Sequence, residues 1–348
     1  MEKESQVRTV CMNLIQDEGG TMRKRYLRPL LPIVLIVLMQ GADARMAAAP
    51  KVCKLAEVHP PGYPTELADE KFAKLVQEKT NGGIVIKVCH SSLLGSEDQV
   101  AEQAQLGVIE FIRVSTSPVI QFYKPIGVFS MPYIFRSQEH MWKVLNGPIG
   151  KHFLDSLCTV GLIGIGYFDG GARDFYANRP LKSVADLRGL RIRVQNSIIM
   201  VNMVKTLGAT AAPIAYAEVY SALQTGVVDG AENNIPSWVS QKHYKIARYM
   251  IKDAHLRLPE VLIVSGRFWQ SLTDYQRAVI REAAQEATDF QIKAWNEYEV
   301  KALAQAKAAG CTIAEANVPT FQAALAPLYG MPEFADYKIW IKKIKEVE

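Results

Sequence analysis

From residue 51 onward, short β-branched apolar runs alternate with segments whose apolar positions recur every three or four residues. VCKLAEVH (52–59) is of the first kind and closes at Pro60-Pro61-Gly62. TELADEKFAKLVQEKT (65–80) is of the second, with Leu67, Ala68, Phe72, Leu75 and Val76 on one helical stripe and Asn81-Gly82-Gly83 as its stop. IVIKVCH (84–90) reads as a buried parallel strand. SEDQVAEQAQLG (96–107) reads as a Ser-capped helix closed by Gly107, and VIEFIRVST (108–116) as a third strand. Strand, helix, strand, helix, strand predicts an α/β unit with a mainly parallel sheet.

A second block repeats the pattern. TVGLIGIGYFD (159–169), ARDFYAN (172–178), LRIRVQ (190–195), APIAY (212–216) and VVDGAEN (227–233) read as strands. SVADLRG (183–189), SIIMVNMVKTLGA (197–209) and YAEVYSALQTG (216–226) read as helices between them, and residues 272–310 sustain helical periodicity for nearly forty positions. The expected fold is α/β, with two lobes packed around a central cleft and a long C-terminal helix. Residues 51–170 form the first lobe, with part of the C-terminal region returning to it. Residues 171–255 form the second, and 256–348 supply the hinge-crossing and long C-terminal helices. In such sheets ligands bind beyond the carboxyl ends of the strands.

Residues 1–50 stand apart as an upstream extension and leader. From Met22 a basic stretch (Arg23, Lys24, Arg25, Arg28) precedes an apolar core at Leu30–Met39 and small residues at Ala42-Asp43-Ala44 and Ala47-Ala48-Ala49, the order of a secretory signal peptide. The apolar core is shorter than a comfortable span of roughly 20 residues. The expected product is an exported, periplasmic protein starting between Arg45 and Lys51, not itself membrane-spanning. Net charge is +5 over 348 residues, and the first fifty contribute seven basic and five acidic side chains, leaving +3 dispersed over the rest. That balance carries no nucleic-acid footprint. Of five cysteines, Cys11 precedes the leader; Cys53, Cys89, Cys158 and Cys311 are scattered, as buried residues or as disulfides that an oxidising compartment permits. The six histidines show no paired spacing, so neither a metal nor a cofactor is expected.

Enzyme signatures are missing from the sequence: no P-loop, GxSxG, HExxH or EF-hand loop occurs, and GIGYFDG (164–170) is one residue out of register for a dinucleotide loop. Asp69-Glu70 and Glu97-Asp98 are expected to be solvated or capping carboxylates. More informative is LRGLRIRVQNS (187–197), which places Arg191 and Arg193 on one strand face and Ile192 and Val194 on the other. Either these arginines are solvated edge charges or one faces a cleft. His59, Arg113 with Ser115, Arg173, Arg193 with Gln195, and Asn233 with Asn234 all fall at strand ends or turns on the same topological edge. A guanidinium holds a carboxylate bidentately, and Asn both donates to and accepts from hydroxyls, so this set binds a small polar anion without a reaction.

SSLLGSEDQV, SMPYIFRS, GARDFYANRPLKSVADLRGLRIRVQNS, YAEVYSALQTGVVDGAENN and the closing helix, in this order, resemble the DctP-like solute-binding proteins of tripartite ATP-independent periplasmic (TRAP) transporters over about residues 51–330. The resemblance implies a periplasmic-binding-protein-like fold, two α/β lobes joined by a hinge, in a receptor that closes on a small organic acid. It then delivers the acid to TRAP membrane subunits for ion-gradient-driven uptake. It assigns the ligand-carboxylate salt bridge to Arg193, a second arginine to Arg173 and an asparagine to Asn233, with family-variable contacts near Arg113, His59 and Glu97. Arg191 then reads as a structural or surface charge and Arg188 as solvated, while Trp238, Tyr216 and Tyr220 serve ligand stacking or core packing. AEVHP, RVST and GVVDGAENN are most similar to members that bind uronic acids, with C4-dicarboxylates and other monocarboxylates as rival ligands. A sensory receptor for a membrane kinase and an enzyme on the same fold are the alternatives from other classes.

Overall fold

A computed structural model describes residues 49–348. The leader and Cys11 lie outside the described residues. Eleven strands form two sheets. The first sheet is assembled from β1 (Lys51–Ala56), β2 (Ile84–Cys89), β3 (Phe111–Ser115), β4 (Leu162–Phe168) and β10 (Glu260–Ser265), in the order β2-β1-β3-β10-β4. The second contains β5 (Ala172–Ala177), β6 (Arg191–Val194), β7 (Thr210–Pro213), β8 (Gly230–Asn233), β9 (Tyr249–Arg257) and β11 (Thr312–Glu315), in the order β11-β9-β5-β8-β6-β7.

Both sheets are mainly parallel, as expected for the first unit, and each becomes mixed through one strand that opposes all its sheet partners. β10 runs antiparallel to β3 and β4, and β5 runs antiparallel to β8 and β9. The reason is that the chain twice crosses directly from a strand of one sheet to a strand of the other. β4 hands over to β5 through Asp169-Gly170-Gly171, and β9 hands back to β10 through Leu258-Pro259, so each returning strand enters its sheet head-on. RYMIKDAHLRLPEVLIVSG (248–266), assigned to no element from sequence, supplies these two long strands.

Local chemistry places the helices. Helix α1 (Pro64–Lys79) starts with proline in its first turn, where no N–H is needed. Helix α2 (Glu97–Leu106) opens on Ser96, whose backbone N–H donates to Gln99 Oε1 at 3.0 Å, and closes on Gly107 at φ +80°. Helix α3 (Ile198–Thr206) and the short α4 (Ile235–Ser240) follow β6 and β8. Helix α5 (Asp274–Ala308), capped by Thr273 with Gln276, packs against α1 and β4 on one side and against α4, the helix that follows β8, on the other. No helix among the described residues is long and apolar enough to cross a membrane.

The first crossing is anchored to α5. Gln291 accepts from the Asp169 N–H at 2.8 Å and donates to the Asp169 carbonyl at 2.9 Å, while the Asp169 carboxylate accepts from the Gly171 N–H at 2.7 Å. Gly171 sits at φ +66° under the Trp295 indole, where a Cβ would come within 2.6 Å of the ring, so only glycine fits. Beside this pivot lies a buried string of ionisable groups. His255 contacts Asp253 at 3.0 Å and Glu232 at 3.5 Å, with Asp174 close by.

Burial disfavours the charged form of His255, but Asp253 and Glu232 outweigh it and raise its pKa from 6.5 to about 9. Burial and Asp253 push Asp174 up to about 7. In both cases the folded state retains a proton that the unfolded chain releases, so stability falls as pH rises. For His255 the window is about 6.5 to 9. The melting temperature should therefore drop across that range by the equivalent of a few kcal/mol, and His255→Asn should flatten it. A wild-type melting temperature that stays level from pH 6.5 to 9 would refute this assignment.

Candidate functional site

The carboxyl ends of both sheets face one another across the cleft. Arg113, the middle residue of β3 rather than its end, is fully buried and fully engaged. Its Nε donates to Glu57 Oε2 at 2.7 Å and its Nη2 to Glu57 Oε1; Nη1 donates to Glu260 and lies 3.5 Å from Glu97. Burial would raise the Glu57 pKa, yet Arg113 and His59 hold its carboxyl well below the ordinary range. Glu260 goes the other way: burial, with Glu97 and Glu57 as like charges, lifts it to about 7 against the pull of Arg113. Burial keeps His59 below its ordinary pKa, and Tyr63 stacks on its ring at 3.9 Å.

Two carboxylates depart from the sequence expectation of solvated or capping groups. Asp69 is 0% exposed on α1, where burial and neighbouring Glu57 raise its pKa well above the usual range. Glu97, the first residue of α2, is buried and turns inward, accepting from the Ser115 N–H at 2.7 Å. From the second sheet Gln195 reaches across, donating to Ser115 Oγ at 2.9 Å and Glu97 Oε2 at 3.2 Å. Tyr63 makes a second crossing contact, with Asn234 at 3.2 Å and Ser237 at 2.9 Å.

Arg173 on β5 is neutralised within its own sheet. It donates to Glu232 Oε1 at 2.8 Å, to the Glu232 carbonyl at 2.9 Å and to Asn233 Oδ1 at 2.8 Å. Asn233 Oδ1 also accepts from the Asn234 N–H at 2.8 Å. With its oxygen occupied twice, the amide of Asn233 has only its NH₂ left to offer.

Arg193 differs from both. On β6 the apolar Ile192 and Val194 enter the core, and exposed Arg191 pairs with Asp229 at 2.7 Å. Arg193 points inward between Ala212 on β7 and Ala231 on β8, whose small side chains leave it room. It is 2% exposed, and its sole protein acceptor among the described residues is the Ile214 carbonyl, 2.8 Å from Nε. Among the described residues both Nη groups lack a protein partner, and no carboxylate forms an ion pair with Arg193. Burial accordingly pulls its pKa below the ordinary value. A buried, unpaired charge is costly, so the fold keeps here a cation whose energy improves when an anion arrives.

Arg193, Gln195, Glu97 and Tyr216 line one cavity of about 190 Å³ between the two sheets. The Tyr216 ring meets His59 edge-on at 4.8 Å. Trp238, by contrast, is core, its indole N–H bound to the Ala247 carbonyl at 2.9 Å. Of the six residues singled out from sequence, Arg193 and Glu97 line this cavity, Arg113 and His59 belong to the buried cluster around Glu57, and Arg173 and Asn233 bond to each other on β5 and β8. Sequence reasoning missed Glu57, Tyr63, Glu232 and Glu260. Glu260 carried a signal, as the charge heading the apolar run VLIVS; Glu57 carried one as the acid two positions before His59. Cys53, Cys89 and Cys311 have free thiols.

The model of bacterial extracellular solute-binding protein family 7, DctP, matches residues 55–335. A solute-binding protein of Chromohalobacter salexigens is 39% identical over 274 residues, covering 78% of this chain and 82% of the relative. Among solved structures, a TRAP periplasmic solute-binding protein from Xanthobacter autotrophicus with bound β-D-galacturonate superposes with a TM-score of 0.82 at 37% identity. It covers 85% of this chain and 100% of its own. A second, from Pseudomonas putida F1 with bound D-glucuronate, gives 0.83 at 35% identity over 85% of this chain and 97% of that one.

Proposed function

The chain belongs to bacterial extracellular solute-binding protein family 7, the DctP family, and on that premise we propose that it is a periplasmic receptor for a uronic acid such as glucuronate or galacturonate. It captures the acid and presents it to TRAP membrane subunits for ion-gradient-driven uptake. The observation that carries this reading is Arg193, a buried guanidinium facing an inter-sheet cavity with both Nη groups unpartnered. A planar carboxylate meets those groups in a two-pronged salt bridge, which fixes orientation as well as supplying charge. Arg173, Asn233, Arg113, His59 and Glu97 make up the rest of the ligand wall, Asn233 donating through its NH₂ and Glu97 accepting from sugar hydroxyls. The bound acid bridges the two sheets, so it favours the conformation in which Gln195 and Tyr63 reach across the cleft.

A thermal-shift screen of the exported chain from about Lys51 tests the reading. Glucuronate or galacturonate at 100 times its dissociation constant should add about 2.7 kcal/mol of apparent stability. Failure of every uronate to shift the transition would sink the ligand assignment.

A further inference from the structure

We propose that this site is built for acids bearing one carboxylate and excludes diacids, with Glu97 as the residue that turns the second carboxylate away; the proposal rests on the uronate reading above. Three arginines are buried in the cleft walls, and two of them are already neutralised. Arg113 is bound by Glu57 and Glu260, with Glu97 also within ion-pair distance, and Arg173 is bound by Glu232. Neither has charge to spare for a ligand. Arg193 alone among them has no carboxylate partner, so the walls provide for one ligand carboxylate.

The opposite wall is acidic. Glu57, Glu97 and Glu260 outnumber Arg113, all four are buried, and Glu97 lines the same cavity as Arg193. His59 offers the ligand no compensating cation, because its Nδ1 is taken up by Glu57 and Arg113, each at 2.8 Å, and burial lowers its pKa. Glu97 Oε2 receives a 3.2 Å contact from Gln195 and has lone pairs left for a hydroxyl. Gln195 Oε1 is a buried acceptor with no protein donor. Both oxygens gain a hydrogen bond when a ligand hydroxyl arrives, and both repel a carboxylate placed there. An acid whose carboxylate lies on Arg193 therefore projects its far end at acceptors. A sugar hydroxyl is accommodated there and a second carboxylate is rejected, a specificity created by repulsion as much as by attraction. The same logic separates this site from one serving C4-dicarboxylates, whose two charges need two cations.

Titration calorimetry on the exported chain, at one pH near neutrality, compares D-glucuronate with D-glucarate, succinate and malate. The diacids should bind roughly 100-fold or more weakly than glucuronate, the cost of like charges placed together in a buried site. Glu97→Gln keeps the acceptor oxygen, removes the charge and should narrow that gap by at least tenfold. A diacid within tenfold of glucuronate on the wild type overturns the proposal without any variant. A gap unchanged in a folded Glu97→Gln protein that still binds glucuronate overturns the assignment to Glu97. If none of the four acids binds, the uronate reading beneath it has failed, which is a separate and distinguishable result.

Discussion

Arg193→Ala should weaken uronate binding by roughly 100-fold or more while leaving the ligand-free protein as stable as the wild type, or more so. The two effects have opposite signs because the same charge is unfavourable in the empty cleft and favourable in the occupied one. In the complex, truncation leaves a buried ligand carboxylate without its partner, a loss of about 2–5 kcal/mol in charged pairs of this kind. Without ligand, Arg193 is a desolvated cation with one carbonyl acceptor, and removing it relieves that burial cost. Arg193→Lys should fall between, keeping the charge but losing the planar fork that matches a carboxylate. Calorimetry with glucuronate and urea unfolding of both variants give the two readings. An alanine variant that binds as tightly as the wild type would show that the ligand carboxylate lies elsewhere. One that unfolds readily without ligand would make Arg193 a structural residue.

Arg113→Met should show the reverse profile, a large loss of stability before any ligand is added. Three carboxylates, Glu57, Glu97 and Glu260, lie within 3.5 Å or less of its guanidinium, and all are buried. Removing the cation leaves them facing one another in a poorly hydrated wall, and breaking a buried pair in this way costs about 3–5 kcal/mol. Adding Glu57→Gln should recover part of that loss, since one repelling charge goes with it. Low pH should recover more. Without Arg113 the carboxylates take up protons more readily, so the deficit relative to wild type should shrink as pH falls from 8 to 5. Urea titrations of the wild type, the single and the double variant decide the matter. A cost below about 1 kcal/mol, or a deficit that grows in acid, would mean that the wall is hydrated enough to tolerate its own charges.

Helix and strand assignments in the α1-to-β3 stretch were legible because their causes are local. Ser96 with Gln99, and Gly107, act within a few residues of the helix ends they cap. Alternation along RIRV was equally local, and it placed Arg193 opposite Ile192 and Val194. Other features depended on distant partners. The ring of Trp238 could be read as a ligand platform or as core, and packing against Tyr176 and Ala247 placed it in the core. Asp69 sits among polar neighbours in sequence, and the burial that raises its pKa arises only when α1 packs between β2 and α5 and brings it beside Glu57.

By itself the sequence determined an α/β chain with a long closing helix, an order of motifs shared with one receptor family, and a set of polar residues at strand ends. Periodicity, caps and turn residues are enough for that, because each acts over a few positions. Tertiary structure alone decided that both sheets are mixed, since antiparallel entry of β10 follows from the direct return of the chain out of β9. It also decided which arginine is available. Arg113 finds its carboxylates 56 and 147 positions away and Arg173 finds its own 59 positions away, whereas Arg193 meets only a carbonyl. Charge neutralisation is a property of neighbours in space, and three arginines that look alike in sequence become two structural ions and one binding group only after the fold has chosen their partners.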